Sequence, residues 1–443
     1  MSGDTIYALS SGAGQAGVAV VRLSGPDADA LLADLGVDPL PVPRRADLHR
    51  IVADGKLIDR AIVLRFPAPG SFTGEDVAEL HVHGGPAVLD ALFSAIGGTG
   101  RARLAEPGEF TRRAFENGKL DLTAAEGLAD LVAAQTDAQR RLALRQYDGT
   151  LADLYEGWRA RLVELMGCVE AEIDFSDEEL PDGLRDETNA NIAALRGEIT
   201  EHLRSAARGE RIRTGFPIVI LGAPNVGKSS IINNLSNSDV AIVSETAGTT
   251  RDVIEVQLNL GGFAVTLSDT AGIRAAADGI EAEGVRRAEQ RASDAALRLV
   301  VLDASEPEIP ERVRGLITGD CIVVANKTDL LNAAYVPPVE LEGCSPFPIS
   351  AATGEGLDTL LARLSDAVRN SLADSEGALP TRRRHRDSLT DARDALGHVA
   401  DAAFPELAAE DVRVALRALG RITGRVDIDE VLDTVFRDFC IGK

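Results

Sequence analysis

Short apolar runs separated by glycine-containing turns characterise the first 117 residues. Their alternation predicts strands at Thr5–Leu9, Gly17–Leu23, Ala61–Phe66 and Val77–Val82. Pro86–Ile96 has the length and spacing of a helix. We therefore expect a small α/β domain over residues 1–117, whose topology the pattern leaves open.

The hydrophobic period becomes helical from residue 118 to about residue 213. Apolar positions recur at i, i+3, i+4 and i+7, which gives one continuous stripe. The stripe consists of Leu151, Leu154, Tyr155, Trp158, Leu162, Leu165, Met166 and Val169. Such a stripe indicates the core of a helix bundle more often than a cofactor site. Residues 118–213 are therefore predicted to be all-α.

Residues 214–375 alternate strand-like and helix-like segments, which is typical of a doubly wound parallel sheet. The clearest strands are Ile218–Leu221, Phe263–Asp269, Leu297–Leu302 and Cys321–Ala325. Helical spacing returns over residues 376–443. The predicted fold is thus multidomain, α/β plus all-α, with segments 1–117, 118–213, 214–375 and 376–443.

Composition narrows the class of protein. The 443 residues carry a net charge of −24, so the chain as a whole does not attract nucleic acid. Its four cysteines include no C-x-x-C pair, which argues against a zinc or iron–sulfur centre. Neither a signal peptide nor a membrane-spanning run is apparent. We expect a soluble, cytoplasmic protein without a membrane partner.

The clearest chemical motif is Gly222–Ser229, which reads G-x-x-x-x-G-K-S between a predicted strand and a predicted helix. Glycines at these positions let backbone N–H groups surround phosphate oxygens, and the helix N-terminus adds a positive dipole. Lys228 is expected to reach the β- and γ-phosphates, and Ser229 to bind Mg²⁺. A glycine turn without a ligand would seldom match the whole pattern.

Four further motifs follow in the order required of a GTPase: Thr249–Asp252, Asp269–Gly272, Asn326–Asp329 and Ser350–Ala352. In the first two, Thr250 is expected to bind Mg²⁺, and the Gly272 amide to approach the γ-phosphate. The carboxylate of Asp329 can accept both N1–H and N2–H₂ of guanine, and adenine has no such donor pair. The motifs therefore select GTP over ATP.

The catalytic group is less obvious. Ile273 stands where Ras-type proteins have a glutamine that orients water, and no arginine finger is apparent. Another side chain must orient the water. Glu281, Glu283 and Asp278 are the candidates, and the residues alone do not choose among them.

Several motifs outside the GTPase segment resemble one family over nearly the whole chain. They are Asp4–Ile6, Arg22–Gly25, Phe72–Asp76, Glu79–Gly85, Lys119–Leu122, Ala247–Asp252 and the terminal Cys440–Lys443. With the GTPase motifs, they make the chain similar to the MnmE (TrmE) family of tRNA-modification GTPases.

The resemblance implies an N-terminal domain that binds tetrahydrofolate and dimerises, and a two-part helical domain into which the GTPase domain is inserted. It implies a homodimer that joins the flavoprotein MnmG, as a heterotetramer, to modify C5 of wobble uridine 34 of certain tRNAs. The one-carbon unit would come from a 5-formyl or 5,10-methylene folate. Arg22, Glu79, Lys119 and Lys443 match the family's folate-binding positions.

The resemblance also implies that K⁺ replaces the arginine finger. Its ligands would be Asn225, Ser244, Thr246 and Thr249, and Glu281 would orient the water. Lys228, Gly272 and Glu281 are then the expected catalytic residues. The full set expected to contact the nucleotide is Asn225, Val226, Gly227, Lys228, Ser229, Ser230, Ser244, Glu245, Thr246, Ala247, Gly248, Thr249, Thr250, Asp269, Thr270, Ala271, Gly272, Asn326, Lys327, Asp329, Ser350, Ala351 and Ala352.

A ribosome-assembly or other switch GTPase with the same type of GTPase domain is the main alternative. It predicts an appended RNA-binding module, which the sequence does not display, and it leaves the folate-type positions unexplained. A GTPase that matures metalloenzyme clusters would need a Cys/His ligand set, and the cysteines are scattered.

Overall fold

The computed structural model divides the chain into two compact units. Unit 1 comprises Met1–Ala129, Gln146–Leu195 and Asp391–Lys443, and unit 2 comprises Asp130–Arg145 and Arg196–Thr390. The structure describes residues 3–174, 183–242, 255–269, 295–306, 308–315, 317, 320–332, 335, 345–373, 377–399, 401–426, 432, 435, 436, 439 and 442.

Unit 1 begins with a six-stranded sheet of order β3-β4-β5-β2-β1-β6. Its strands are β1 Thr5–Leu9, β2 Ala16–Ser24, β3 Asp47–Ala53, β4 Lys56–Phe66, β5 Val77–Gly84 and β6 Ala102–Leu104. All neighbouring strands are antiparallel except β1 and β6, which are parallel. Helices α1 (Ala28–Asp34), α2 (Pro86–Gly98) and α3 (Glu109–Glu116) accompany the sheet.

One face of this sheet packs on helices α1 and α2. Leu23 of β2, Val63 of β4 and Leu80 of β5 point to this face. They are fully buried together with Leu31 of α1 and Leu92 of α2. The period of two places successive side chains on opposite faces, so Arg22 and Glu79 lie on the other face. The predicted strands and helix of this region are confirmed, and β3 and β6 are additional.

Helices follow as the spacing predicts. They are α4 Leu122–Ala133, α5 Asp137–Tyr147, α6 Thr150–Asp174, α7 Leu184–Arg204 and α8 Ala206–Thr214. Along α6, seven positions of the predicted stripe are buried, from Leu151 to Val169. The stripe is therefore core, as expected.

Unit 2 contains a second six-stranded sheet, of order β12-β11-β10-β7-β9-β8. Its strands are β7 Phe216–Leu221, β8 Glu255–Leu260, β9 Phe263–Asp269, β10 Leu297–Asp303, β11 Cys321–Asn326 and β12 Phe347–Pro348. Helices α9 (Lys228–Ser236), α10 (Glu311–Arg314) and α11 (Leu357–Ser371) alternate with them. The sheet is parallel apart from β8, which is antiparallel to β9. The prediction of a doubly wound, mainly parallel sheet is confirmed.

Further along the chain the structure describes helices α12 (Arg383–Val399) and α13 (Pro405–Thr423). Helix α13 packs along α6, where Glu156 accepts from Thr423 Oγ1 at 3.1 Å and from Arg425 Nε at 2.6 Å. None of the described helices is both long and apolar enough to cross a membrane.

The second sheet fixes where a ligand can bind. Strand β7 lies between β9 and β10, so the chain passes to opposite sides of β7 in its successive crossovers. Ligands of open α/β sheets bind at such a switch point, beyond the carboxyl ends of the strands. The loop that leaves β7 is Gly222–Gly227, the predicted phosphate loop.

Candidate nucleotide-binding site

The loop after β7 is shaped by residues with left-handed backbone angles. Gly222 has φ +151°, Asn225 +63° and Gly227 +98°. A Cβ at Gly222 would collide with the carbonyl oxygen of Val301, and one at Gly227 with Nδ2 of Asn326. Only glycine permits this close approach, and α9 begins directly after it at Lys228. The loop therefore presents a helix N-terminus to an anion.

Lys228 lies across this loop. Its side chain is buried, and its ammonium donates to the carbonyls of Gly222 at 2.9 Å and Ala223 at 2.8 Å. Burial lowers the pKa of Lys228, and the negative charge of Asp269 opposes part of that shift. A buried cation beside an anion-binding loop is suited to phosphate oxygens.

Two oxygen groups meet at the start of α9. Ser229 Oγ donates to Asp269 Oδ2 at 3.2 Å, and Asp269 is buried at the end of β9. Hydroxyl and carboxylate oxygens are the ligand types that Mg²⁺ prefers. Within the described part of the chain, no cluster of three His, Cys, Asp or Glu side chains could hold a metal by itself. Phosphate oxygens would have to complete such a site.

The predicted base-binding residues converge at the carboxyl end of β11. Asn326 is buried, donates from Nδ2 to Val226 O at 2.8 Å and accepts at Oδ1 from Ala351 N at 2.9 Å. Ser350 Oγ donates to Asp329 Oδ1 at 2.6 Å. The phosphate loop, Asn326–Asp329 and Ser350–Ala352 are thus linked by direct hydrogen bonds. Asp329 remains solvent-exposed, so a ligand can reach its carboxylate.

Lys327 has a partner that the sequence did not suggest. Its Nζ lies 2.6 Å from Oδ2 of Asp303, the last residue of β10. Burial alone would raise the pKa of Asp303, but hydrogen bonds from Lys327 and Ser305 outweigh it and lower that pKa. Since Asp303 pairs in register with Asn326, the strand order could have identified it, but the spacing of the motifs could not.

Many predicted residues lie outside the described residues. They are Ser244, Glu245, Thr246, Ala247, Gly248, Thr249, Thr250, Thr270, Ala271, Gly272, Glu281 and Lys443, with the alternatives Asp278 and Glu283. Of the predicted K⁺ ligands, only Asn225 is described, and its exposed amide oxygen is a hard donor of the required kind.

Two predicted folate-site residues meet in unit 1. Arg22 on β2 and Glu79 on β5 are register partners, and Arg22 Nε donates to Glu79 Oε1 at 3.0 Å. The guanidinium also lies over the rings of Phe72 at 5.5 Å and Phe110 at 5.7 Å. Charged and aromatic groups side by side suit a flat heterocycle with polar edges. The spacing of residues along the sequence did not predict that Phe72 and Phe110 contact Arg22.

The other two folate-site predictions are less directly placed. Lys119 Nζ donates to Pro69 O at 3.0 Å, and its Cγ lies close to Gly74. Gly442, next to Lys443, accepts from Ser10 Oγ at 2.9 Å at the end of β1. Gly442 therefore lies against the first sheet, and Lys443 is outside the described residues.

The protein has a P-loop at the switch point of a parallel sheet, and hydrogen bonds link that loop to an Asn-Lys-x-Asp motif. These features place it in the class of P-loop GTPases. Family models named "GTP-binding protein TrmE N-terminus" and "MnmE helical domain" match residues 5–119 and 122–440. The chain belongs to the MnmE (TrmE) family.

Curated relatives match along their whole length. The "tRNA modification GTPase MnmE" of Paramagnetospirillum magneticum is 52% identical over 442 residues, covering 99% of this chain and 100% of that protein. The protein of the same name from Maricaulis maris is 51% identical and covers 99% of both chains. A solved FeoB G-domain from Methanococcus jannaschii is 22% identical with a TM-score of 0.27, over 35% of this chain and 98% of that domain.

Proposed function

We propose that this protein is a K⁺-dependent GTPase that modifies the wobble uridine of certain tRNAs. It would act as a homodimer together with the flavoprotein MnmG and use a one-carbon unit from tetrahydrofolate to build the carboxymethylaminomethyl or aminomethyl group at C5. Relatives at about half identity over the full length support this assignment, because they are named for tRNA modification. A cytoplasmic location stays a prediction.

One observation carries the GTP-specific part: the Asp329 carboxylate is held by Ser350 and joined to the phosphate loop through Asn326. A carboxylate held in a fixed position relative to the phosphate loop selects a base that presents two adjacent hydrogen-bond donors, as guanine does. A ribosome-assembly GTPase would share this site. The paired Arg22 and Glu79 in the N-terminal sheet favour the folate-using enzyme instead.

In this proposal Lys228 and the amides of Asn225–Ser230 bind the phosphates. Ser229 and Thr250 would hold Mg²⁺, with Asp269 accepting from Ser229 so that the hydroxyl oxygen faces the ion. The ion would offset charge on the β- and γ-phosphates. The Gly272 amide would donate to the γ-phosphate.

Asn225, Ser244, Thr246 and Thr249 would hold K⁺ beside the phosphates, where other GTPases place an arginine. The positive φ of Asn225 turns its backbone at the exposed side of the loop, which leaves the amide available. Glu281 would accept a hydrogen bond from the attacking water and so orient it. Glu281 takes the role that Ile273 cannot fill.

The domains proposed are a folate-binding and dimerisation domain over 1–117, helical segments 118–213 and 376–443, and an inserted GTPase domain over 214–375. Glu79 would accept hydrogen bonds from the pterin ring, while Arg22, Lys119 and Lys443 would bind carboxylates of the folate, which lie on its glutamate tail.

Turnover of GTP in KCl compared with NaCl at equal ionic strength tests the proposal. We expect at least tenfold faster hydrolysis in K⁺, because a cation in place of an arginine finger supplies a large part of the charge stabilisation. GTP affinity should change much less than the rate. Equal rates in the two salts would contradict the alkali-ion mechanism.

A further inference from the structure

Asn234 lies in α9, six residues beyond the phosphate-loop lysine, and no GTPase motif includes it. Its Nδ2 donates two hydrogen bonds, to Ser230 O of its own helix at 2.8 Å and to Ala351 O at 2.9 Å. Asn234 lies in the last turn of α9, and Asn has a lower helix propensity than Ala, so its use there needs a reason. The contact with Ala351 supplies one.

Ala351 belongs to the loop that is proposed to close over the guanine. Its N–H is bound by Asn326 and its carbonyl by Asn234, so one buried residue is fixed at both polar groups by asparagines from two different elements. The neighbouring Ser350 holds the base-reading carboxylate of Asp329 at 2.6 Å.

This loop needs such support, because the strand before it is short. Strand β12 has two residues and pairs with β11 at the edge of the sheet through Phe347 and Pro348. A two-residue edge strand fixes the chain after it only weakly. Backbone hydrogen bonds hold Ile349 N to Ala325 O and Ser350 N to Glu355 O, each at 2.9 Å. The side-chain amides of Asn326 and Asn234 add the two hydrogen bonds that fix Ala351 itself.

We infer that Asn234 is a positioning residue that ties the phosphate-binding helix to the guanine-binding loop and thereby slows the release of guanine nucleotide. The inference rests on the proposed function and deepens it. Loss of the amide would let the Ser350–Ala352 loop shift relative to α9 while the phosphate cradle itself stays intact.

The test compares Asn234→Ala with Asn233→Ala in the full-length protein. Asn233 is the exposed neighbour on the same helix, so both variants make the same change of helix propensity. Release of GDP labelled on the ribose with a fluorophore is followed after adding excess unlabelled GDP. We expect release from Asn234→Ala about three- to tenfold faster than from Asn233→Ala, which is the effect of losing about one hydrogen bond.

Inorganic pyrophosphate separates a role in base binding from general support of the helix. Its affinity, measured by calorimetry with Mg²⁺, should be the same in the two variants, because it contacts only the phosphate cradle. Asn234→Asp should release GDP faster still, since its carboxylate would face two carbonyl oxygens.

Equal GDP release from Asn234→Ala and Asn233→Ala would overturn the inference. An equal loss of affinity for GDP and pyrophosphate would overturn it too, since Asn234 would then merely support the helix. Failure of the unaltered protein to bind GDP would instead overturn the proposed function, and the inference with it.

Discussion

At the scale of single residues, Gly227 packs closely against Asn326 in the described part of the nucleotide site. Asn326 is buried and uses both ends of its amide, so it cannot move aside without losing two hydrogen bonds. A side chain at position 227 would occupy the place of Nδ2. Gly227 therefore does more than allow the turn: it leaves room for Asn326, which connects the phosphate loop to the base-binding loop.

Gly227→Ala should lower GDP affinity at least tenfold and also reduce stability. The variant pays about 1–3 kcal/mol for the left-handed backbone and in addition displaces Asn326. Gly262→Ala is the matched control, because Gly262 has φ +89° but nothing within 4 Å of a new Cβ. The control should lose stability only and keep its GDP affinity within about twofold. Equal affinities in the two variants, measured by titration of fluorescent GDP, would argue against the collision.

Sequence alone can propose the residues of the candidate site that belong to a local motif. Lys228, Ser229 and Asp329 were recognised because the phosphate loop and the base-reading motif are contiguous segments. Asp303 and Asn234 were not, because they act through contacts between strands and helices that are distant in the chain. Their identification required the strand order and the hydrogen bonds.

At the scale of elements, α3 is joined to its neighbours by two charged side chains, the buried Arg113 and its partner Glu109. Arg113 donates to Asp4, Glu75 and Glu109, and Glu109 also accepts from Arg103 on β6 at 2.6 Å. Burial alone would raise the pKa of Glu109, but hydrogen bonds from Arg103, the Glu106 amide and Arg113 outweigh it and lower that pKa. The folded protein therefore stabilises the ionised form of Glu109 relative to the unfolded chain.

Glu109→Gln should destabilise unit 1 by about 2 kcal/mol at pH 7, the typical worth of hydrogen bonds to a charged group. A lowered folded-state pKa means that this stabilisation is full above the unfolded-state pKa and is lost as pH falls through the folded-state value. The difference from the unaltered protein should thus disappear in acid. Trp158 is the single tryptophan and lies in unit 1, so its fluorescence during denaturation in urea reports the right transition.

Glu116→Gln on the same helix provides the control for that experiment. Glu116 pairs with Arg112 at 3.0 Å, and both side chains are more than 40% exposed. Exposed pairs of this kind contribute about 0–1 kcal/mol, so the control should lose little stability and show little dependence on pH. A loss as large as that of Glu109→Gln would mean that burial of the carboxylate is unimportant.

Elements were predicted well where the hydrophobic period was strong. The α6 stripe and strands β1 and β9 matched the expectation, because buried positions recur at helical spacing along α6, alternate along β9 and run almost unbroken through β1. Strand β3 reads Asp-Leu-His-Arg-Ile-Val-Ala and exposes Leu48, so neither face is consistently apolar. Strands β6 and β12 are too short for any period to show.

At the scale of the whole molecule, unit 2 extends beyond the proposed GTPase domain of residues 214–375. Ile212 of α8 and Leu379 are buried in the same hydrophobic cluster as the core of the second sheet, and α8 packs against β7 and β9. Arg213 Nε donates to Thr381 O at 2.9 Å, which joins the two flanking segments to each other. The flanks thus contribute to the core of the nucleotide-binding unit.

A fragment of residues 196–390 should therefore be more stable than one of residues 214–375. Ile212 and Leu379 each bury a side chain worth about 2 kcal/mol, and a loss of about 4 kcal/mol lowers Tm by roughly 10 °C in a fragment of this size. Thermal unfolding of both fragments in excess GDP measures the difference. The longer fragment carrying Ile212→Ala and Leu379→Ala should approach the Tm of the shorter one, since it lacks the same buried groups at full chain length. Equal Tm values for the two unaltered fragments would instead show that residues 214–375 form a self-sufficient core, and that the flanking helices only rest on it.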